Sequence, residues 1–184
     1  ILLFAYGLAV TTDDIYDNSY ALIIGIDKYE NVSNLDYAVE DAKSIKEMLI
    51  DKFNFSNDRI TFILNEDATY RKIKKSLSKV TRQAGENDRI LIFFSGHGET
   101  VSLPEGGAMG FLIPFDGEKD DLYATSLDMD ELRKVSNLSK AKHILYLVDA
   151  CYGGLAASNT KSLDVSTPDF LEKITRDKSR QIIT

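Results

Sequence analysis

Short apolar runs alternate with amphipathic stretches along this chain. YALIIGI at 20–26 is continuously apolar, rich in branched residues and ended by Asp27, which predicts a buried strand. Over 36–51 the apolar positions switch to helical spacing: Ala38, Ala42, Ile45 and Leu49 share one face, with Asn34 or Asp36 as candidate N-cap. RITFIL (59–64) reads as a second strand, and Tyr70, Ile73, Leu77 and Val80 mark a second amphipathic helix. Its outer face carries Arg71, Lys72, Lys74 and Lys75, which read as a solvated face rather than a nucleic-acid patch. RILIFFS (89–95) is a third strand, apolar throughout, as expected where helices cover both faces of a sheet.

Turn residues dominate from Glu99 to Asp121, with MGFLIPF as a short strand or hairpin arm inside them. Asp128–Val135 predicts a short helix and AKHILYLVD (141–149) a fourth core strand. The order βαβαβ…αβ predicts an α/β domain with a mainly parallel sheet and helices on both faces. The stretch from Leu155 to Thr167 reads as an exposed loop, and 168–175 as a weak helix with Thr167 as N-cap and Pro168 at the first helical position. SRQIIT looks like the opening of a fifth strand.

With 184 residues, 43% hydrophobic and 28% charged, the composition is that of one globular domain and excludes disordered and collagen-like classes. A formal net charge of -7 argues against general nucleic-acid binding, which rests on Lys and Arg neutralising phosphates, and suits a basic substrate better. The single cysteine excludes an internal disulfide and a four-cysteine zinc site, and leaves the redox compartment open. ILLFAYGLAV at the start is either the tail of a signal peptide or membrane anchor, or an apolar arm packed on the domain. We therefore separate 1–18 from a domain at 19–184 whose C-terminal part is apparently missing. The location is left open by the sequence: cytoplasmic, or exported if 1–10 is a signal-peptide remnant.

Two scarce side chains stand where strands end. SGHGET places His97 between Gly96 and Gly98, and DACYGG places Cys151, the only cysteine, just past the fourth strand. Reactive groups of open parallel sheets collect at the carboxyl ends of the strands. A histidine and a cysteine facing each other there suit attack on an acyl carbon: the imidazole takes the thiol proton and later protonates a leaving amine. Backbone N–H groups at Gly98 and Cys151 are the candidate oxyanion hole. Read singly, Cys151 would be a small buried hydrophobe and His97 a turn residue; the paired strand-end positions favour chemistry. His143, at the start of its strand, reads as structural.

These residues carry a resemblance. Caspases have a Q-A-C-x-G signature with a histidine about 50 residues upstream, and here D-A-C-Y-G-G follows His97, which lies 54 positions before Cys151 (97 to 151). The chain resembles metacaspases and bacterial caspase-like peptidases more closely: YALIIGIDKYENVSNLDYAVEDAKSIKEML looks like their first strand and helix, RILIFFSGHG their histidine strand and YLVDACYGG their nucleophile strand. The resemblance implies a caspase-like three-layer sandwich and a cysteine endopeptidase with His97 as general acid/base and Cys151 as nucleophile. It also implies an acidic pocket from Asp41, Ser95 and Asp149, hence protein or peptide substrates cut after Arg or Lys.

The family continues into a small-subunit region, which this chain would need for activity, and its members are often cut between the two subunits. The stretch 155–176 holds Lys161, Lys173 and Arg176 as candidate cleavage positions. Tyr152 stands where many metacaspases have histidine. Many metacaspases need calcium, but Asp116, Glu118, Asp120 and Asp121 fit no EF-hand spacing, and we expect no metal site or cofactor. Neither a phosphate-binding G-x-x-x-x-G-K-[ST] nor a dinucleotide fingerprint occurs. The competing reading is a catalytically silent caspase-like interaction or regulatory domain.

Overall fold

The computed structural model describes residues 15–150 and 178–184. In chain order the elements are β1 (Ser19–Gly25), α1 (Ala38–Phe53), β2 (Ile60–Leu64), α2 (Tyr70–Gln83), β3 (Arg89–Ser95), β4 (Gly98–Ser102), β5 (Ala108–Leu112), β6 (Leu127–Asp128), α3 (Met129–Leu138), β7 (His143–Asp149) and β8 (Ser179–Ile183). A single helical turn, Leu122–Thr125, precedes β6. The five strands β2-β1-β3-β7-β8 form one sheet in that order, and each neighbouring pair is parallel. The strands β4-β5-β6 form a small antiparallel sheet beside it.

Strand alternation divides the core into two layers, because successive side chains of a strand point to opposite faces. Ala21, Ile23, Leu91 and Phe93 pack with Ala42 and Leu49 of α1 on one face. Leu22, Ile24, Ile92, Phe94, Tyr146 and Val148 pack with Ile73 and Leu77 of α2 and Leu132 of α3 on the other. The result is a three-layer α/β sandwich. Each of the fully buried aliphatic side chains contributes on the order of 1.5–3 kcal/mol relative to exposure.

Helix α1 approaches the sheet at Gly25. A Cβ added there would lie 2.6 Å from both the Ala38 carbonyl oxygen and the Ala42 Cβ, so only a glycine under two alanines admits this contact. The helix begins later than the sequence predicts, with Tyr37 rather than Asn34 or Asp36 at its N-cap and no capping bond from that side chain. Its orphan donors are served from outside: Asp27 Oδ1 accepts from Val39 N at 3.3 Å. Asn54, at φ 58, closes the other end, its N–H donating to the Leu49 carbonyl. Helix α2 is capped by Thr69, which accepts from Lys72 N, and α3 by Asp128, which accepts from Asp130 N.

The glycine-rich stretch after His97 contains a strand that the sequence reading treats as turn. Gly98 opens β4 instead of bending the chain, and Glu99 pairs with Phe111 of β5. The true reversal lies at Gly106 and Gly107, whose φ values of 94 and 88 favour glycine. SRQII forms β8 as expected, parallel to β7. The loop predicted for 155–167 and the helix predicted for 168–175 lie outside the described residues.

Candidate active site

The strand order creates one crevice. β1 and β3 are neighbours, yet the connection leaving β1 carries α1 on one face of the sheet and the connection leaving β3 carries α3 on the other. Where connections diverge in this way, loops at the carboxyl ends of adjacent strands part and leave room for a ligand. The loop after β1 and the segment after β3 meet at that point, and His97 stands between them.

His97 is half-buried and held at three atoms. Its main-chain N–H donates to the Tyr29 phenol oxygen at 2.8 Å, and its carbonyl accepts from Ile113 N at 3.0 Å. Its ring Nε2 lies 2.9 Å from the carbonyl oxygen of Ser33. A carbonyl can only accept, so Nε2 carries the proton in this contact, and in the neutral imidazole Nδ1 keeps the lone pair. The ring is thus poised to take a proton at Nδ1 while its far side is pinned.

The cysteine strand ends beside the histidine strand. β3 and β7 run parallel with Ser95 opposite Asp149, and the Gly96 N–H donates to the Asp149 carbonyl at 3.2 Å. Ala150, half-buried, is the last residue described before Cys151, which lies outside the described residues. Gly98, the other candidate oxyanion donor, is half-buried at the start of β4, one residue past His97.

The three candidate pocket residues occupy the same end of the sheet. Ser95 is buried and Asp149 exposed, and alternation turns both toward the α1 face, in line with Phe93 and with Leu147. Asp41 is half-buried in the first turn of α1, between Ala38 and Ala42 in sequence. Those alanines pack on Gly25, whose register partner is Ser95. The sequence links Asp41, Ser95 and Asp149 only by resemblance; pairing and packing place their elements at one corner.

The family model of the caspase domain matches residues 18–182. The chain belongs to the caspase domain family. Metacaspase-7 of Arabidopsis thaliana is 28% identical over 160 residues, covering 80% of this chain and 38% of that protein. Metacaspase-1 of Eremothecium gossypii is 26% identical over 149 residues, covering 76% of this chain and 32% of that protein. The chain therefore spans less than half the length of the curated relatives it matches. A crystal structure of a Geobacter sulfurreducens protein has the same fold, with a TM-score of 0.62 at 21% identity over 74% of this chain and 52% of that one.

Within this caspase domain, sequence reading passed over the loop after β1. Asp27 to Leu35 is closed by the Leu35 N–H to the Asp27 carbonyl at 2.8 Å and by the Tyr29 N–H to Asn34 Oδ1 at 3.1 Å. Asn65, at φ 45, accepts from the Asp27 and Lys28 N–H groups at 2.9 and 3.1 Å. The contact that pins the imidazole uses a backbone oxygen of Ser33, which no residue type advertises. Gly96 is a glycine for room rather than for φ: a Cβ there would sit 2.6 Å from the Tyr29 phenol oxygen.

Other candidates have local roles. Asp116 Oδ1 accepts from Tyr70 N at 2.7 Å and Asp121 Oδ1 from Ala124 N at 3.2 Å, so two acids of the 116–121 cluster serve helix starts. Among the described residues no group of three His, Cys, Asp or Glu is arranged to hold a metal. His143 Nδ1 meets the Tyr16 hydroxyl at 2.6 Å, at the opposite end of β7 from Asp149, in keeping with a structural role.

Proposed function

We propose that this caspase domain carries the histidine and the cysteine of a cysteine endopeptidase that cleaves peptide bonds after Arg or Lys. The observation that carries the reading is the register of β3 and β7. It sets the ends of the histidine strand and the cysteine strand side by side, Ser95 opposite Asp149, with the His97 ring pinned so that Nδ1 is its basic atom. Two residues beyond each end stand His97 and Cys151.

In this mechanism Cys151 Sγ loses its proton to His97 Nδ1 and attacks the scissile carbonyl. The carbonyl π electrons move to oxygen, and N–H groups of Gly98 and Cys151 stabilise the resulting oxyanion. As the tetrahedral intermediate collapses, the C–N bond breaks and the imidazolium returns its proton to the leaving amine, leaving a thioester. Water then attacks the thioester with His97 again as base, and the carboxylate and the thiol are released.

Preference for a basic residue is supported by charge and placement. Asp149 is exposed at the cleft end of β7 and shares a sheet face with Ser95 and with α1, whose first turn bears Asp41. Two carboxylates flanking a hydroxyl suit an arginine fork or a lysine ammonium through charge-assisted hydrogen bonds. The similarity to metacaspases supports peptidase chemistry.

The test uses the full-length protein, since this chain spans 38% of the first of those relatives. Fluorogenic peptides differing only at the residue before the scissile bond are compared with and without Cys151→Ala. Turnover of the Arg and Lys peptides, lost in Cys151→Ala, is expected. Turnover that survives the substitution sinks the mechanism, and cleavage after Asp alone sinks the specificity. A full-length protein that binds peptides without cleaving them would favour the silent interaction domain.

A further inference from the structure

We propose that Tyr29 is a positioning residue for His97: it fixes the histidine main chain from below while the Ser33 carbonyl, carried on the same loop, fixes the ring. The proposal rests on the peptidase reading above and assigns a role to a side chain outside the reacting pair.

Three observations carry it. Tyr29 is 9% exposed, and its hydroxyl accepts the His97 N–H at 2.8 Å, with the two rings 4.9 Å apart at 47°. His97 lies between β3 and β4, so its N–H belongs to neither strand, and a half-buried donor left without a partner is costly. The acceptor reaching it is rigid, because the tyrosine ring belongs to the same core cluster as Ile24 and Phe94.

The second observation is the space around the contact. Gly96 leaves room for the phenol oxygen at the point where any other residue would put a Cβ 2.6 Å from it. The chain is pared down at residue 96 to let Tyr29 reach residue 97. The third is the unity of the loop: Tyr29 N–H to Asn34 Oδ1, Leu35 N–H to the Asp27 carbonyl and Glu30 N–H to the Phe115 carbonyl at 2.9 Å make 27–35 one closed body. Tyr29 and Ser33 therefore move together, and His97 is clamped between a side chain and a backbone oxygen of one loop.

Burial also holds the Tyr29 phenol well above its ordinary pKa, with Asp27 pushing the same way against the pull of the His97 N–H bond. The hydroxyl therefore stays neutral through the neutral pH range and remains an acceptor for the His97 N–H. If the His97 main chain shifts, the Nε2 contact to Ser33 lengthens and the ring swings away from its attack geometry. Misplacement by about 1 Å can cost as much as roughly a hundredfold in rate.

The experiment compares full-length wild type, Tyr29→Phe and Asn34→Ala by three readouts: kcat and KM on an Arg peptide, the rate of iodoacetamide alkylation at Cys151 against pH, and the melting temperature. Tyr29→Phe keeps the ring and removes only the acceptor. Its kcat is expected to fall about tenfold with KM within about twofold. Its alkylation inflection should rise toward the free-thiol value of about 8.5, because a wandering imidazole no longer favours the thiolate. Asn34→Ala, which opens the loop, should give the same pattern, and decides the matter should Tyr29→Phe not fold.

A variant with wild-type kcat and alkylation profile overturns the proposal. So does a kcat loss that tracks a lowered melting temperature without any alkylation shift. A wild type that cleaves no peptide, but whose inflection is low and rises in Tyr29→Phe, keeps the clamp while the peptidase reading falls. A wild-type inflection at the free-thiol value ends both.

Discussion

Ser95 and Asp149 are register partners across β3 and β7, and both side chains turn to the face of the sheet that α1 covers. One is buried and the other exposed, which grades the corner from packed wall to open rim. Asp149→Asn keeps the shape and removes the charge. In the full-length protein kcat/KM for Arg peptides should fall about 10- to 100-fold, the range of one charge-assisted hydrogen bond, while the alkylation profile of Cys151 stays put. An equal loss on peptides with an uncharged residue before the cut would show that Asp149 serves the fold and not the substrate.

Gly25→Ala tests the seat of α1. The new Cβ would meet a backbone oxygen and a second Cβ at 2.6 Å, and neither can move without shifting the helix. Overpacking of this kind costs about 1–3 kcal/mol. The urea midpoint should fall accordingly with an unchanged slope. An unchanged midpoint would mean that α1 slides freely and that its first turn, with Asp41, has no fixed place over the sheet.

Alkaline stability reports on Tyr29. Burial raises its phenol pKa in the folded protein, while the unfolded tyrosine ionises near 10. The folded state then holds a proton that the unfolded state has released, so this contribution is complete below pH 10 and is lost progressively as pH rises beyond it. Tyr16 acts in the same direction, through burial opposed by Arg89. Denaturant midpoints measured from pH 9 to 11 should fall less steeply in Tyr29→Phe than in wild type. Parallel curves would mean that the phenol ionises as easily folded as unfolded.

Processing is the fourth expectation. The stretch 155–176, outside the described residues, contains Lys161, Lys173 and Arg176, and an enzyme that prefers basic residues finds candidate bonds there. Intact-mass spectrometry of the active full-length protein should show a cut in this stretch, most readily after Lys161, that Cys151→Ala abolishes. Cleavage after an acidic residue would reverse the specificity assignment.

Much of the scaffold was legible because its signals are local. Continuous apolar runs mark β1, β3 and β7, since strands covered on both faces have no polar side to show. The spacing of Ile73, Leu77 and Val80 marks α2 for the same kind of reason. Strand β4 carries no strand signal of its own, because GETVS is polar and half-exposed and its pairing with β5 is decided by the hairpin. The start of α1 is not legible in its own residues, because its capping oxygen comes from Asp27, outside the helix and across the loop. At the site, His97 announced itself by rarity and position. Tyr29 and Ser33 did not, since one resembles any core tyrosine and the other acts through its backbone.

The pairing of β3 with β7 also sets a schedule for the growing chain. The histidine strand leaves the ribosome about fifty residues before the cysteine, a delay of a few seconds at roughly 5–20 residues per second. Throughout that interval the edge of β3 that β7 will occupy has no partner from this chain, and the hairpin and α3 must be made before β7 can dock. A nascent chain thus carries its imidazole before its thiol has been made. A synthesis arrested before β7 therefore leaves the histidine strand with an open edge and no cysteine at all.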